Sequence, residues 1–214
     1  MHYKVLPVIL LVTWLSAVWT APVTAQDKLI IAAFGDSLSA GYQLPPEAAF
    51  PNQLQKALSD KGIEVEVQNA AVSGDTASGG LSRLDWSIGP DVKGVILELG
   101  ANDALRGIDP KITREAMDAM IARFKERGIE VLLAGMVAPP NLGPDFETAF
   151  NSIYPDLAAK HEVDLYPFFL DGVATIPALN LPDRLHPTEE GVGIIVERIL
   201  PNVEAMLDRI NKAS

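Results

Sequence analysis

Residues 29–42 read LIIAAFGDSLSAGY: six apolar residues from Leu29 to Phe34, then Gly35, Asp36 and Ser37, then small and polar residues. A continuous apolar run of this length, closed by a glycine, is the pattern of a strand covered on both faces. A buried strand that gives way at once to Gly-Asp-Ser presents a serine on a tight turn at the end of a sheet. Most loop serines solvate a turn or cap a helix. The stretch gains a chemical meaning only if the rest of the chain supplies a base, an acid and hydrogen-bond donors.

Outward from this stretch the pattern alternates. EVEVQNAA (64–71), GVILELG (94–100) and EVLLAGM (130–136) read as strands, with VDLYPF (163–168) as a weaker fifth. Helical periodicity fills 47–61, 77–87, 113–127, 145–161 and 188–210. Gly62 and Gly128 punctuate two helix ends, and Thr188 is placed to cap the last helix. Strands that alternate with helices build βαβ units with right-handed crossovers, hence a parallel sheet between helical layers. No repeat, low-complexity segment or linker interrupts the chain, so residues 26–214 read as one α/β domain. In open sheets of this class, sites lie beyond the carboxyl ends of the strands. That rule singles out Ser37, then Ser73 and Gly74, then the Gly100–Asp103 segment.

The composition bounds the function. Of 214 residues 48% are hydrophobic and 21% charged, an ordinary globular balance. Lys and Arg number 17 against 28 Asp and Glu, a net charge of −11, with no basic cluster; nucleic-acid binding is not expected. There is no cysteine, which removes disulfides, thiolate metal sites, cysteine nucleophiles and a lipidated N-terminus. Residues 1–25 have the layout of a secretory signal: basic MHYK, the apolar VLPVILLVTWLSAV, and PVTA with cleavage expected after Ala25. An uncleaved anchor is the other reading of Val5–Gln26, weakened by Pro7, Thr13, Ser16 and Pro22. Export to the periplasm or the medium follows, without stable membrane insertion once the segment is cleaved.

A serine hydroxyl becomes a nucleophile when a base takes its proton, and histidine is the usual base near neutral pH. Of three histidines, His2 lies in the signal segment and His161 in AAKHEVD suits a helix C-terminus. His186 remains, in NLPDRLHPTEEG, with Asp183 three residues before it and Pro182 and Pro187 stiffening the loop. A carboxylate there can accept from imidazole Nδ1–H, leaving Nε2 to face a serine. The alternative is a loop whose aspartate caps the turn around a surface histidine. The backbone N–H of Ser37, the N–H of Gly74 and the side-chain amide of Asn102 are candidate donors to an oxyanion. Gly74 and Asn102 could equally be turn residues.

GDSL at 35–38, Gly74 in VSGDT, GAND at 100–103 and DRLH at 183–186 resemble the four sequence blocks of the SGNH (GDSL) hydrolases, in order and spacing. The resemblance spans Leu29 to about Pro201. It implies Ser37 as nucleophile, His186 as base and Asp183 as its orienting acid, with Ser37 N–H, Gly74 N–H and Asn102 Nδ2 as the oxyanion hole. The implied fold is a flavodoxin-like three-layer α/β/α sandwich on a mostly parallel five-stranded sheet.

Within the family, GDSLSAGY, VSGDT, LELGANDALRG and IYPDLA look most like the thioesterase I, lysophospholipase L1 and arylesterase group. Hydrolysis of aryl esters, lysophospholipids and acyl-CoA is therefore implied, with no cofactor or metal and a monomer as the expected state. Leu105, Ile108 and Pro110 in ALRGIDP would then border the acyl chain; plain core packing is their other reading. Ala101 departs from the glycine frequent in relatives. The G-x-S-x-G elbow of other α/β-hydrolases is not met, because Ser39 stands at its last position. Two rival functions share the scaffold: a carbohydrate O-acetyl esterase, and a binding protein without catalysis.

Overall fold

The computed structural model describes residues 1–2 and 28–213; apart from its first two residues, the expected signal segment lies outside them. Among the described residues, no helix is long and apolar enough to cross a membrane.

Five strands form one sheet: β1 (Leu29–Gly35), β2 (Val65–Asn69), β3 (Val92–Glu98), β4 (Glu130–Ala134) and β5 (Asp164–Tyr166). Their spatial order is β2-β1-β3-β4-β5 and every pairing is parallel. β1, β3 and β4 are the apolar runs and are almost wholly buried, because helices cover both faces. The order reverses at β1, which pairs with β2 on one side and β3 on the other. A reversal of this kind opens a crevice beyond the strand ends, and here it lies between the residues that follow β1 and those that follow β3.

The helices are α1 (Ser37–Ala40), α2 (Phe50–Asp60), α3 (Ala77–Ser87), α4 (Ala101–Leu105), α5 (Pro110–Glu126), α6 (Pro144–Asn151), α7 (Ile153–His161) and α8 (Glu189–Ala213). Right-handed crossovers place α2 on one face and α3, α5 and α7 on the other, because the chain changes direction across the sheet after β2. The packing agrees: α2 meets α8, while α3 meets α5 and α5 meets α7. Phe50 packs edge-on to Phe169 under one layer, and Phe34 edge-on to Phe124 under the other, at ring separations of 5.1 and 5.7 Å. Each such side chain contributes about 1.5–3 kcal/mol by leaving water.

The boundaries moved for local reasons. β3 ends at Glu98, two residues before the expected end, because Gly100 turns to φ +112 and opens α4. A side chain at Gly100 would collide with the Tyr154 hydroxyl, which donates to Leu99 O at 2.9 Å. The helix expected at 145–161 is broken at Ser152 into α6 and α7. α5 starts three residues early, with Pro110 as its first residue and the Asp109 carboxylate accepting Lys111 N–H. Thr188 Oγ1 accepts Gly191 N–H at the start of α8, as expected of a cap. The short helices α1 and α4 were not legible at all.

Candidate active site

Ser37 is the first residue of α1, directly beyond β1. Asp36 caps this one-turn helix, its Oδ1 accepting Leu38 N–H at 3.0 Å. Gly35 is required because a Cβ there would fall 2.5 Å from Glu98 Oε2 and 2.8 Å from Ser39 Oγ. The Glu98 carboxyl at the end of β3 fills that space. Its Oε2 accepts Ser39 Oγ–H at 2.7 Å and Asp36 N–H at 3.3 Å. A carboxyl on the neighbouring strand thus fixes the backbone on both sides of Ser37.

His186 reaches Ser37 from 149 positions away. Its Nε2 lies 2.9 Å from Ser37 Oγ, and its Nδ1 lies 2.7 Å from Asp183 Oδ2. Asp183 Oδ1 also accepts the backbone N–H groups of Leu185 and His186, at 2.9 and 3.1 Å. Partial desolvation pushes the Asp183 carboxyl up. The two N–H groups and the imidazole outweigh it and hold the carboxyl below its ordinary range. Asp183 Oδ2 on Nδ1 leaves Nε2 facing the hydroxyl, so the imidazole can take the serine proton. Tyr42 lies against the imidazole at 4.4 Å between ring centroids.

The two remaining donors converge on the same crevice. Asp75 N–H closes a turn onto Val72 O at 3.1 Å, with Gly74 at φ +87, a backbone that side chains disfavour. Gly74 N–H lies outside that turn's hydrogen bond. Asn102, in the first turn of α4, donates from Nδ2 to Asp36 Oδ2 and to Asp75 O, both at 2.9 Å. Its amide is therefore oriented by the residue before Ser37 and the residue after Gly74, and an oxyanion would compete for one of these two contacts.

Behind the crevice stands a buried polar frame that the sequence did not reveal. Asp103 accepts Ala77 N–H and Thr113 Oγ1–H, tying α4 to α3 and α5. Arg83, almost fully buried in α3, donates to Asp75 Oδ2, Ala70 O and Gly35 O while its guanidinium lies over the Phe34 ring. One cation thus joins the exits of β1 and β2 to the turn that carries Gly74. Burial pushes the Asp36 carboxyl up to about 6. It drives Glu98 further, with the Asp36 charge adding to the effect. The available signal was a lone charged residue closing an apolar run, Asp36 after β1 and Glu98 within LELG.

Of the groove candidates, Leu105 is exposed, while Ile108 and Pro110 are half-buried. Exposed apolar side chains occur on each of the site's loops: Tyr42 after α1, Val72 before Gly74, Leu105 in α4 and Leu185 beside His186. Among the described residues, no group of acidic or histidine side chains is arranged to hold a metal ion.

Known proteins resemble this chain in sequence and in fold. An arylesterase of Vibrio mimicus is 43% identical over 176 residues, 81% of this chain and 86% of that protein. The thioesterase 1/protease 1/lysophospholipase L1 of Escherichia coli K12 is 35% identical over 86% of each chain. The crystal structure of AlinE4, an esterase of the SGNH-hydrolase family, superposes with a TM-score of 0.72 at 41% identity, covering 86% of this chain and 99% of its own. The profile of the GDSL-like lipase/acylhydrolase family matches residues 33–194, the region that holds Ser37, Gly74, Asn102, Asp183 and His186. The chain belongs to that family.

Proposed function

We propose that the protein is an exported serine hydrolase of acyl esters and thioesters, acting through Ser37, His186 and Asp183. The observation that carries this reading is the continuous path from the Asp183 carboxylate through both imidazole nitrogens to the Ser37 hydroxyl. His186 Nε2 takes the Ser37 proton as Oγ attacks the acyl carbonyl. The oxyanion is held by Ser37 N–H, Gly74 N–H and Asn102 Nδ2, each donor worth about 2.7–4 kcal/mol in the transition state. The imidazolium, stabilised by Asp183, returns its proton to the departing alcohol or thiol. Water, deprotonated by His186, then attacks the acyl-enzyme and releases the carboxylic acid and free Ser37.

The named activities of the relatives support aryl esters, acyl thioesters and lysophospholipids as the substrate classes. Exposed apolar side chains on the loops that carry the candidate residues, Tyr42, Val72, Leu105 and Leu185, support acyl chains over acetyl groups, since each methylene that leaves water contributes about 0.8 kcal/mol. The signal-like N-terminal segment and the absence of cysteine support a periplasmic location.

The test is Ser37→Ala assayed on 4-nitrophenyl octanoate. The expected loss in kcat is on the order of 10^6, the scale for removing a serine nucleophile. Among the described residues the Ser37 hydroxyl meets only the His186 imidazole, so its replacement by hydrogen leaves the fold intact and the melting temperature stays within a few degrees. A folded variant that hydrolyses the ester at the wild-type rate overturns the reading.

A further inference from the structure

The sequence contains eight arginines among an excess of acidic residues. Six of the eight meet a carboxylate: Arg83, Arg114, Arg123, Arg127, Arg198 and Arg209. The two without a carboxylate partner among the described residues are Arg106 and Arg184, and both border the candidate active site. Unpaired arginine is the exception on this surface, and it occurs beside the chemistry.

Arg106 closes α4 and donates from Nη2 to Gly74 O at 2.9 Å, so its guanidinium sits at the edge of the turn that offers Gly74 N–H. The residue is exposed. Arg184 stands between Asp183 and His186 in the sequence and is exposed. Its backbone is left-handed, at φ +60. The neighbouring contacts impose that conformation: Arg184 N–H goes to Leu181 O, and Asp183 Oδ1 takes the next two N–H groups. Glycine or asparagine would meet this backbone at lower cost, so the position carries an arginine against its local preference.

We propose that Arg106 and Arg184 are specificity-determining residues that recognise a phosphate-type anion on the leaving portion of the substrate. The proposal rests on the serine-hydrolase reading and adds to it a charge on the alcohol or thiol side. We place the anion on that side because His186 protonates the leaving group and Arg184 lies two residues from it in the chain. A guanidinium presents a planar fork of N–H donors that matches phosphate oxygens in pairs. The chemistry is also needed: a chain of charge −11 repels an anionic substrate. At physiological ionic strength charges beyond about 8 Å are screened, so two arginines at the contact outweigh distant carboxylates.

The experiment compares two octanoyl esters that share an ortho-nitrophenol leaving group and differ by a sulfonate, those of 2-nitrophenol and of 4-hydroxy-3-nitrobenzenesulfonate. They are assayed on wild type and on R106Q, R184Q and the double variant. The readout is the ratio of kcat/KM for the charged ester to that for the neutral one. The double variant lowers this ratio roughly fivefold at 20 mM salt, the scale for two exposed charge contacts. Raising salt to 0.5 M lowers the wild-type ratio toward that of the variant. A ratio that is unchanged, in an enzyme that cleaves both esters, overturns the proposal and leaves the hydrolase reading standing. If wild type cleaves neither ester, the hydrolase reading itself falls.

Two further pairs assign the source of the phosphate. Octanoyl-CoA against octanoyl-pantetheine reports on a nucleotide-linked phosphate, and lysophosphatidylglycerol against monoacylglycerol on a lipid headgroup. A variant effect confined to one pair identifies that source, and absence from both overturns recognition of phosphate.

Discussion

His161 meets Asp118 at 2.5 Å between α7 and α5, and His186 meets Asp183 at 2.7 Å in the loop before α8. In the first pair Nε2 takes the carboxylate. Lys160 shares that carboxylate at 2.7 Å, and the His161 carbonyl accepts Lys125. Asp118 is held below its ordinary range first by Lys160, with His161 contributing after desolvation is overcome. In the second pair Nδ1 takes the carboxylate, the other Asp183 contacts are backbone N–H groups, and no cation among the described residues competes. The Asp183 charge is therefore directed at one imidazole, whose free Nε2 meets Ser37. The lesson is that a histidine–aspartate contact says little by itself. Which nitrogen it uses and what lies beyond the other nitrogen separate a tie between two helices from an imidazole set against a serine hydroxyl.

The largest expected effect breaks the second pair without removing it. Asp183→Asn keeps an oxygen for Leu185 N–H and His186 N–H, but its amide can force the imidazole into the tautomer that has Nε2–H facing Ser37. A base that already carries its proton cannot accept the serine's. The expected loss in kcat is about 10^3–10^4-fold with the fold retained. The same substitution at Asp118 leaves kcat at the wild-type value. Comparable losses from both, in rate assays of folded protein, would erase the distinction.

A smaller effect tests the frame that holds the proposed oxyanion donors. Asp36→Asn still offers an oxygen to Leu38 N–H, but it turns an NH2 group toward Asn102 Nδ2, where one acceptor stood. Misplacing one donor costs about 100-fold in kcat/KM. The same variant carries a pH signature. Asp36 is raised to about 6, first by burial, in a setting that also includes Asp103, Glu98 and His186. A carboxyl raised on folding binds its proton more tightly in the native state. Its contribution to stability is present at pH 4 and is lost as pH rises through about 6, by about 3 kcal/mol. Urea unfolding of both proteins at pH 4 and pH 7 should show the difference moving by that amount in favour of the variant. A difference that stays flat with pH would mean that Asp36 remains ionised throughout.

What could be seen in the sequence follows from the range of each interaction. β1, β3 and β4 announce themselves as apolar runs, and the residues at their ends follow directly from them. Ser37, Gly74, Asn102 and the Asp183–His186 loop were legible as four motifs because each is a few contiguous letters. Glu98 was not, since a carboxyl at the end of a buried strand has no period and meets Asp36 across 62 positions. Arg83 reads as an ordinary helix residue; its contacts to Gly35, Ala70 and Asp75 exist only once α3 has crossed beneath the strand ends. α1 and α4 are one turn each, too short for helical periodicity to register. Asp118 was invisible as a partner of His161, because the two lie 43 positions apart on different helices.

The smallest effect sharpens the comparison from the other side. His161→Gln removes one imidazole from Asp118 and leaves the Lys160 contact, which is solvent-exposed on the lysine side. The imidazole is mostly buried, and a hydrogen bond of this kind contributes about 0.5–1.5 kcal/mol net. The variant should lose about 1 kcal/mol in urea unfolding, the scale of one hydrogen bond. Its kcat/KM on 4-nitrophenyl octanoate should stay within about twofold of wild type, because none of the residues bonded to Asp118 also bonds to the frame around Ser37. A tenfold fall in a folded variant would mean that α5 transmits strain from Asp118 to Thr113 and onward to Asp103, the one helix that contacts both places. The two pairs would then be mechanically linked.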